Sequence, residues 1–105
     1  MNDRELLELA AKAAKMESLC WSKQNHGGRA WDPLFDDGDA LRLAVKLGID
    51  LMFGLQMQDG VSCMTAVFPL ADDWEAVSEP TNGNLQAATR YAIVRAAAEI
   101  GRAMP

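Results

Sequence analysis

Four aspartates in eight positions, Asp32, Asp36, Asp37 and Asp39, stand directly before an apolar run in "WDPLFDDGDALRLAVKLG". Clustered carboxylates can hold a cation, move protons or cap a helix, and their spacing separates these uses. A calcium loop of the EF-hand kind needs oxygen ligands at positions 1, 3, 5 and 12, with glycine at 6. Counting from Asp32 puts Leu34 at the third position. Counting from Asp37 puts Leu41 at the fifth and Arg42 at the sixth. Neither register coordinates calcium. Magnesium asks for only one or two carboxylates plus phosphate oxygens, so spacing alone does not exclude it. A helix start asks for less: Asp37 or Asp39 as the N-cap oxygen, and the other acids beside the positive end of the helix dipole. Helix capping is the reading adopted, with no catalytic residue and no metal assigned.

Cys20, His26 and Cys63 are a second constellation that could do chemistry. They contain no C-x-x-C pair and no second histidine, whereas a structural zinc site takes four ligands. A Cys–His nucleophile would need an orienting third group and an oxyanion hole. "NHGG" resembles an esterase oxyanion turn, but no G-x-S-x-G elbow accompanies it. His26 beside two glycines therefore reads as a turn residue, and no cofactor is expected.

The aromatic residues are more suggestive. Trp21, Trp31 and Trp74 fall in or beside loops and short strands rather than helices. Trp21 and Trp31 suit the capping of a core built from alanine-rich helices. With Arg29 and Arg90 they would also suit nucleotide stacking and phosphate binding. Trp74 lies in the acidic stretch "DDWEAVSE", where an exposed recognition residue fits better. Met57 and Met64 flank a hairpin, and adaptable methionines favour partner surfaces.

The elements that must position these residues follow from periodicity and punctuation. Asn2 or Asp3 can cap a first helix, "ELLELAAKAAKM", whose inner face is Leu6, Leu7, Ala10, Ala13 and Ala14. Glu8 and Lys12 have i,i+4 spacing on it. "LCWSKQ" (19–24) and Arg29 to Trp31 read as short strands around the NHGG turn. Asp39 to Leu47 forms the second helix, ended by Gly48. Its apolar residues cover all but an Arg42–Lys46 strip, which predicts deep burial. Residues 49–56 and 61–69 form a hairpin across Asp59-Gly60. Residues 70–84 read mainly as a loop, with a short edge strand over Trp74 to Val77. Asn84 or Asn82 caps the last helix, on which Tyr91, Arg95, Glu99 and Arg102 form a solvated line with Glu99 bridging both arginines. The resulting order, α-β-β-α-β-β-(β)-α with a mostly antiparallel sheet, is a small α+β sandwich, expected to form one domain over 1–105.

Bulk properties limit the partners. The formal charge is −5 over 105 residues. Acidity works against direct nucleic-acid binding and favours a partner with a basic surface. No apolar run is long enough for a membrane span, and the charged N-terminus does not read as a signal peptide. Two well-separated cysteines fit reduced thiols in a cytosol.

"WDPLFDDGDALRLAVKLGID" and "AATRYAIVRAAAEIGRAM" together resemble the phage α/β/α-sandwich family, similar to the NinX-like proteins of lambdoid phages. The likeness covers residues 3–18, 30–51 and 85–104, about half the chain. It implies a bacteriophage gene product working in the host bacterial cytoplasm, and it transfers no catalytic residue. The segment 52–84 departs most, so individual specificity is expected there. The expectation is a non-enzymatic accessory protein of the anti-CRISPR kind that binds and inhibits a host factor, an antiviral defence component such as a CRISPR complex being the target class. Its contact surface would use Asp72, Asp73, Trp74, Glu75, Met57 and Met64. The alternative is a binder that sequesters a nucleotide signal through Trp21, Trp31, Arg29 and Arg90, with a homodimer supplying the pocket. An enzyme using Asp36 and Asp37 is the third class.

Overall fold

The computed structural model describes residues 2–15, 31–56 and 62–104, residues 54–56 by their backbone alone. The elements in order are α1 (Asp3–Ala13), α2 (Asp37–Leu47), β1 (Asp50–Gln56), β2 (Ser62–Leu70), β3 (Asp73–Pro80) and α3 (Leu85–Ala103). The fold is α+β, as the sequence implied, although the order among described residues is α-α-β-β-β-α. The expected strand over 19–24, and all of the one over 29–31 except Trp31, lie outside the described residues. Trp31 itself is in no strand.

Each helix begins on a local cap. Asn2 accepts the Glu5 amide at 2.8 Å, and Asn84 accepts the Ala87 amide at 3.0 Å. The α2 cap is Asp36, which accepts the Asp39 amide at 2.8 Å, and not Asp37 or Asp39. Of the three, only Asp36 has the extended backbone (φ −121°, ψ 118°) that aims a cap side chain back at the first turn, while Asp37 and Asp39 are already helical. Gly48 ends α2 in the left-handed conformation (φ 69°), and the Ile49 amide then reaches back to the Ala44 carbonyl at 2.9 Å.

The sheet runs β1-β2-β3, antiparallel throughout, with β2 central. The stretch read as a loop is mostly β3. It pairs with β2 from Leu70↔Asp73 to Cys63↔Pro80, because a two-residue turn at Ala71-Asp72 folds the chain straight back. Ala71 takes a positive φ of 56°, the conformation that matches hairpin twist. In β1 the register shifts between Phe53 and Leu55, a bulge at Gly54.

The core lies between α3 and the sheet, with α1 and α2 packed on α3. Antiparallel partners share a face, so Leu51, Phe53, Met64, Ala66, Phe68, Glu75, Val77 and Glu79 all look toward the helices. Met64, Ala66 and Phe68 form the sheet's share of the core with Ile93, Val94 and the α3 alanines. Leu6, Ala10, Ala13 and Ala14 are buried on α1 as the period required, with Leu7 at the margin. Glu8 pairs with Arg4 at 2.9 Å instead of with Lys12, whose ammonium reaches the Met104 carbonyl at 3.1 Å.

The burial expected of α2 is wrong on one side. Leu41 is 60% exposed and Val45 74%, while Ala40, Leu43 and Ala44 are buried. A helix apolar around most of its girth was read as sunk in the core, but α2 covers α3 with one face only.

Candidate functional site

Three of the four aspartates, Asp36, Asp37 and Asp39, bond through their carboxylates at the entry of α2, whereas Asp32 contributes its amide and keeps a buried Oδ1 with no hydrogen-bond partner among the described residues. Asp39 is fully buried; its Oδ2 accepts the Asp32 amide at 2.9 Å and its Oδ1 accepts Arg42 Nη2 at 2.7 Å. Asp37 takes Arg90 Nη1 at 2.6 Å, and Arg90 Nε donates to the Leu34 carbonyl at 2.8 Å. These bonds fasten the entry of α2 to α3. Among the described residues no three His, Cys, Asp or Glu side chains are grouped to hold a metal.

Two residues of the nucleotide-binding alternative lie in or beside this arrangement. Trp31 is packed in the core at 6% exposure, so its ring presents no open stacking face, and Arg90 is committed to Leu34 and Asp37. Trp21 and Arg29 lie outside the described residues. So do Cys20 and His26, whereas Cys63 is a buried thiol 4.0 Å from Thr65 Oγ1.

The acidic residues singled out in the variable segment do come together. The tight Ala71-Asp72 turn puts Asp72, Asp73, Trp74 and Glu75 at one end of β3, all exposed. Trp74 is 57% exposed and pairs across the ladder with Pro69. Its own amide is held by Asp73 Oδ1 at 2.8 Å, which fixes the backbone under the indole. Trp74 faces away from the helices while its strand neighbours Asp73 and Glu75 face toward them, so the indole projects from the other face of the sheet at this acidic end. Met64 does not belong here. It is buried in the core at 7% exposure, because its ladder position puts it under α3. Met57 lies outside the described residues.

Two further features escaped sequence reasoning. Arg95 does not join Glu99; it reaches from α3 to β3, where Nη1 donates to the Ser78 carbonyl at 3.2 Å and to the Glu79 carboxylate. Glu99 keeps only Arg102, at 2.9 Å. Tyr91 sits beside this group, in a polar hollow with Leu6, Glu79 and Arg95. Burial, then the Asp3 and Glu79 carboxylates, push its phenol above 10.0, against the opposing pull of Arg95. The second feature is an apolar groove of about 260 Å³ between α2, α3 and β1, walled by Leu41, Leu51, Leu85 and Ile93. The all-round apolarity of α2 was its only signal in the sequence.

Fold and surface together define a small α+β domain with an acidic, tryptophan-bearing sheet edge. Comparison with family models, with curated proteins and with solved structures found no match to this chain. No helix among the described residues is long and apolar enough to cross a membrane.

Proposed function

We propose that this chain is a small bacteriophage accessory protein that binds and blocks a host factor in the bacterial cytoplasm, through the acidic turn around Trp74. The observation that carries the reading is the exposed indole of Trp74 flanked by Asp72, Asp73 and Glu75. Among the described residues Trp74 is absent from the core cluster and from the residues packed against it. Tryptophan is among the commonest anchors of protein interfaces, and acids at the same end of the strand would steer a basic partner into place. The net charge of −5 agrees with such a partner, and the phage-like motifs at 31–50 and 87–104 suggest where it is met. A component of antiviral defence is the proposed target class.

The test is capture by the tagged chain from infected and uninfected host lysate, with the nucleotide content of the eluate measured in parallel. A stoichiometric protein with a basic surface is expected. Trp74→Ala should weaken its binding by about 30-fold or more, the effect of losing a hot-spot residue worth about 2 kcal/mol. Replacing Asp72 and Asp73 by lysine should slow association, most visibly at low salt. Binding that survives all three changes would refute this surface. A nucleotide recovered with no protein partner would replace the inhibitor by a nucleotide binder.

A further inference from the structure

The two edges of the sheet are built differently. β3 carries Asp73, Glu75 and Glu79, ends at Pro80, and has its Ser78 carbonyl held by Arg95. Charges, proline and a covering side chain are the devices that keep an edge strand from pairing with another chain. Among the described residues β1, "DLMFGLQ", has none of these apart from Asp50 at its start and the bulge at Gly54. It presents Leu51, Met52 and Phe53 at 39%, 47% and 61% exposure.

We propose that β1 pairs antiparallel with β1 of a second copy of this chain, joining two three-stranded sheets into one of six. Three observations select a second copy as the occupant. The first is charge. With the two-fold axis near Phe53, Asp50 of one copy falls opposite Gln56 of the other, and no like charges meet along either strand. Parallel pairing in register would set Asp50 against Asp50. The second is the face on which the exposed residues lie. Leu51 and Phe53 are on the helix side, as their partners Ala66 and Met64 show, yet none of the described helices covers them and they stand 39% and 61% exposed. A two-fold axis normal to the sheet keeps both helix layers on one side. It sets Phe53 of each copy diagonally across from Leu51 of the other, within reach for an aromatic ring.

The third is the groove. Leu51 is also a wall of the cavity closed by Leu41 and Leu85. The same axis therefore turns the open grooves of the two copies toward each other, each facing an apolar surface identical to its own. Self-complementarity of this kind is what a two-fold interface requires. The dimer would leave both β3 strands at the outer ends of the sheet, each with its own Trp74 turn. The inference stands independently of the function proposed for that turn.

Sedimentation equilibrium of the full chain across a dilution series tests it. A reversible monomer–dimer transition is expected. Leu51→Glu combined with Phe53→Glu should abolish it by setting like charges across the axis, with the circular dichroism spectrum unchanged. Trp74→Ala should leave it intact. Amide exchange on the unaltered protein gives a reading free of any folding defect: β1 amides should exchange more slowly as concentration rises, and β3 amides should not change. A chain monomeric at every concentration overturns the proposal. So does a dimer unaffected by the Leu51 and Phe53 changes, or β1 protection that appears only when a host protein is added.

Discussion

Gly101 of α3 lies directly against the backbone of Leu9 in α1: a Cβ there would overlap the Leu9 carbonyl oxygen and come within 2.9 Å of its carbonyl carbon. The two helices cross at the one residue that has no side chain to hold them apart. Ala10, Ala13 and Ala14 on α1 and Ala97 and Ala98 on α3 are buried as well. Small residues on both helices permit close approach, and the last turn of α3 permits the closest.

Gly101→Ala should therefore destabilise the fold by about 3 kcal/mol, at the upper end of overpacking costs, because the clash is with backbone that cannot rotate away. Gly48→Ala is the instructive comparison. Nothing lies within 4 Å of a Cβ at Gly48, so the cost there is only that of holding φ at +69°, about 1 kcal/mol. Urea unfolding of the two variants should rank them in that order. Equal losses would mean that the α1–α3 crossing relaxes.

Arg42 is an exposed side chain with a buried obligation. Its guanidinium is 64% exposed, yet it neutralises Asp39, which is fully buried. Arg42→Ala should cost about 2 kcal/mol by leaving a desolvated carboxylate with less compensation. Asp36→Ala, which removes the α2 cap and a 4.0 Å pairing with the exposed Arg42, should cost about 1 kcal/mol. Thermal or urea unfolding should find Arg42→Ala the worse of the two, despite its position at the surface.

The clamp of Arg95 on β3 makes a local prediction. Arg95→Ala should cost about 1–2 kcal/mol and speed amide exchange in β3 more than in β1. Arg95→Lys should recover only part of the loss, since an ammonium cannot serve the Ser78 carbonyl and the Glu79 carboxylate with one planar fork. Uniform loosening of the whole sheet would argue against a clamp.

Tyr91 is the single tyrosine of the chain, so phenolate absorbance reads this group alone. Its folded pKa is raised above 10.0 by burial first and then by Asp3 and Glu79. The unfolded phenol ionises more readily than the folded one. Its contribution to stability is thus fully present below pH 10.0 and is lost as pH climbs from there through the folded value. An alkaline titration should place the midpoint above that of the urea-unfolded chain, and Tyr91→Phe should soften the alkaline loss of stability. A folded midpoint at or below the unfolded one would contradict the arrangement.

Much of this protein was legible without coordinates, wherever the deciding interaction spans a few residues. Asn2 and Asn84 as caps, Gly48 as a terminator and the antiparallel pairing of β1 with β2 are local matters of backbone conformation and strand pattern, and so is the α+β class that they add up to, while the Asp59-Gly60 turn lies outside the described residues. Trp74 among its acids was likewise visible, because an aromatic placed between charges has no core-facing period to obey. The choice of partner was not. Glu99 and Glu79 are both within the reach of Arg95, one on the same helix and one across a strand, and only the docking of α3 on the sheet selects Glu79. Leu41 and Val45 belong to an apolar pattern that is the same whether a helix is buried on one side or on two, so their exposure depends on how many neighbours α2 has. Gly101 reads as a helix weakness in sequence and becomes a contact only where α1 crosses it. Local propensity acts within a turn of helix or a hairpin; which surfaces then meet is decided by packing among segments far apart in the chain.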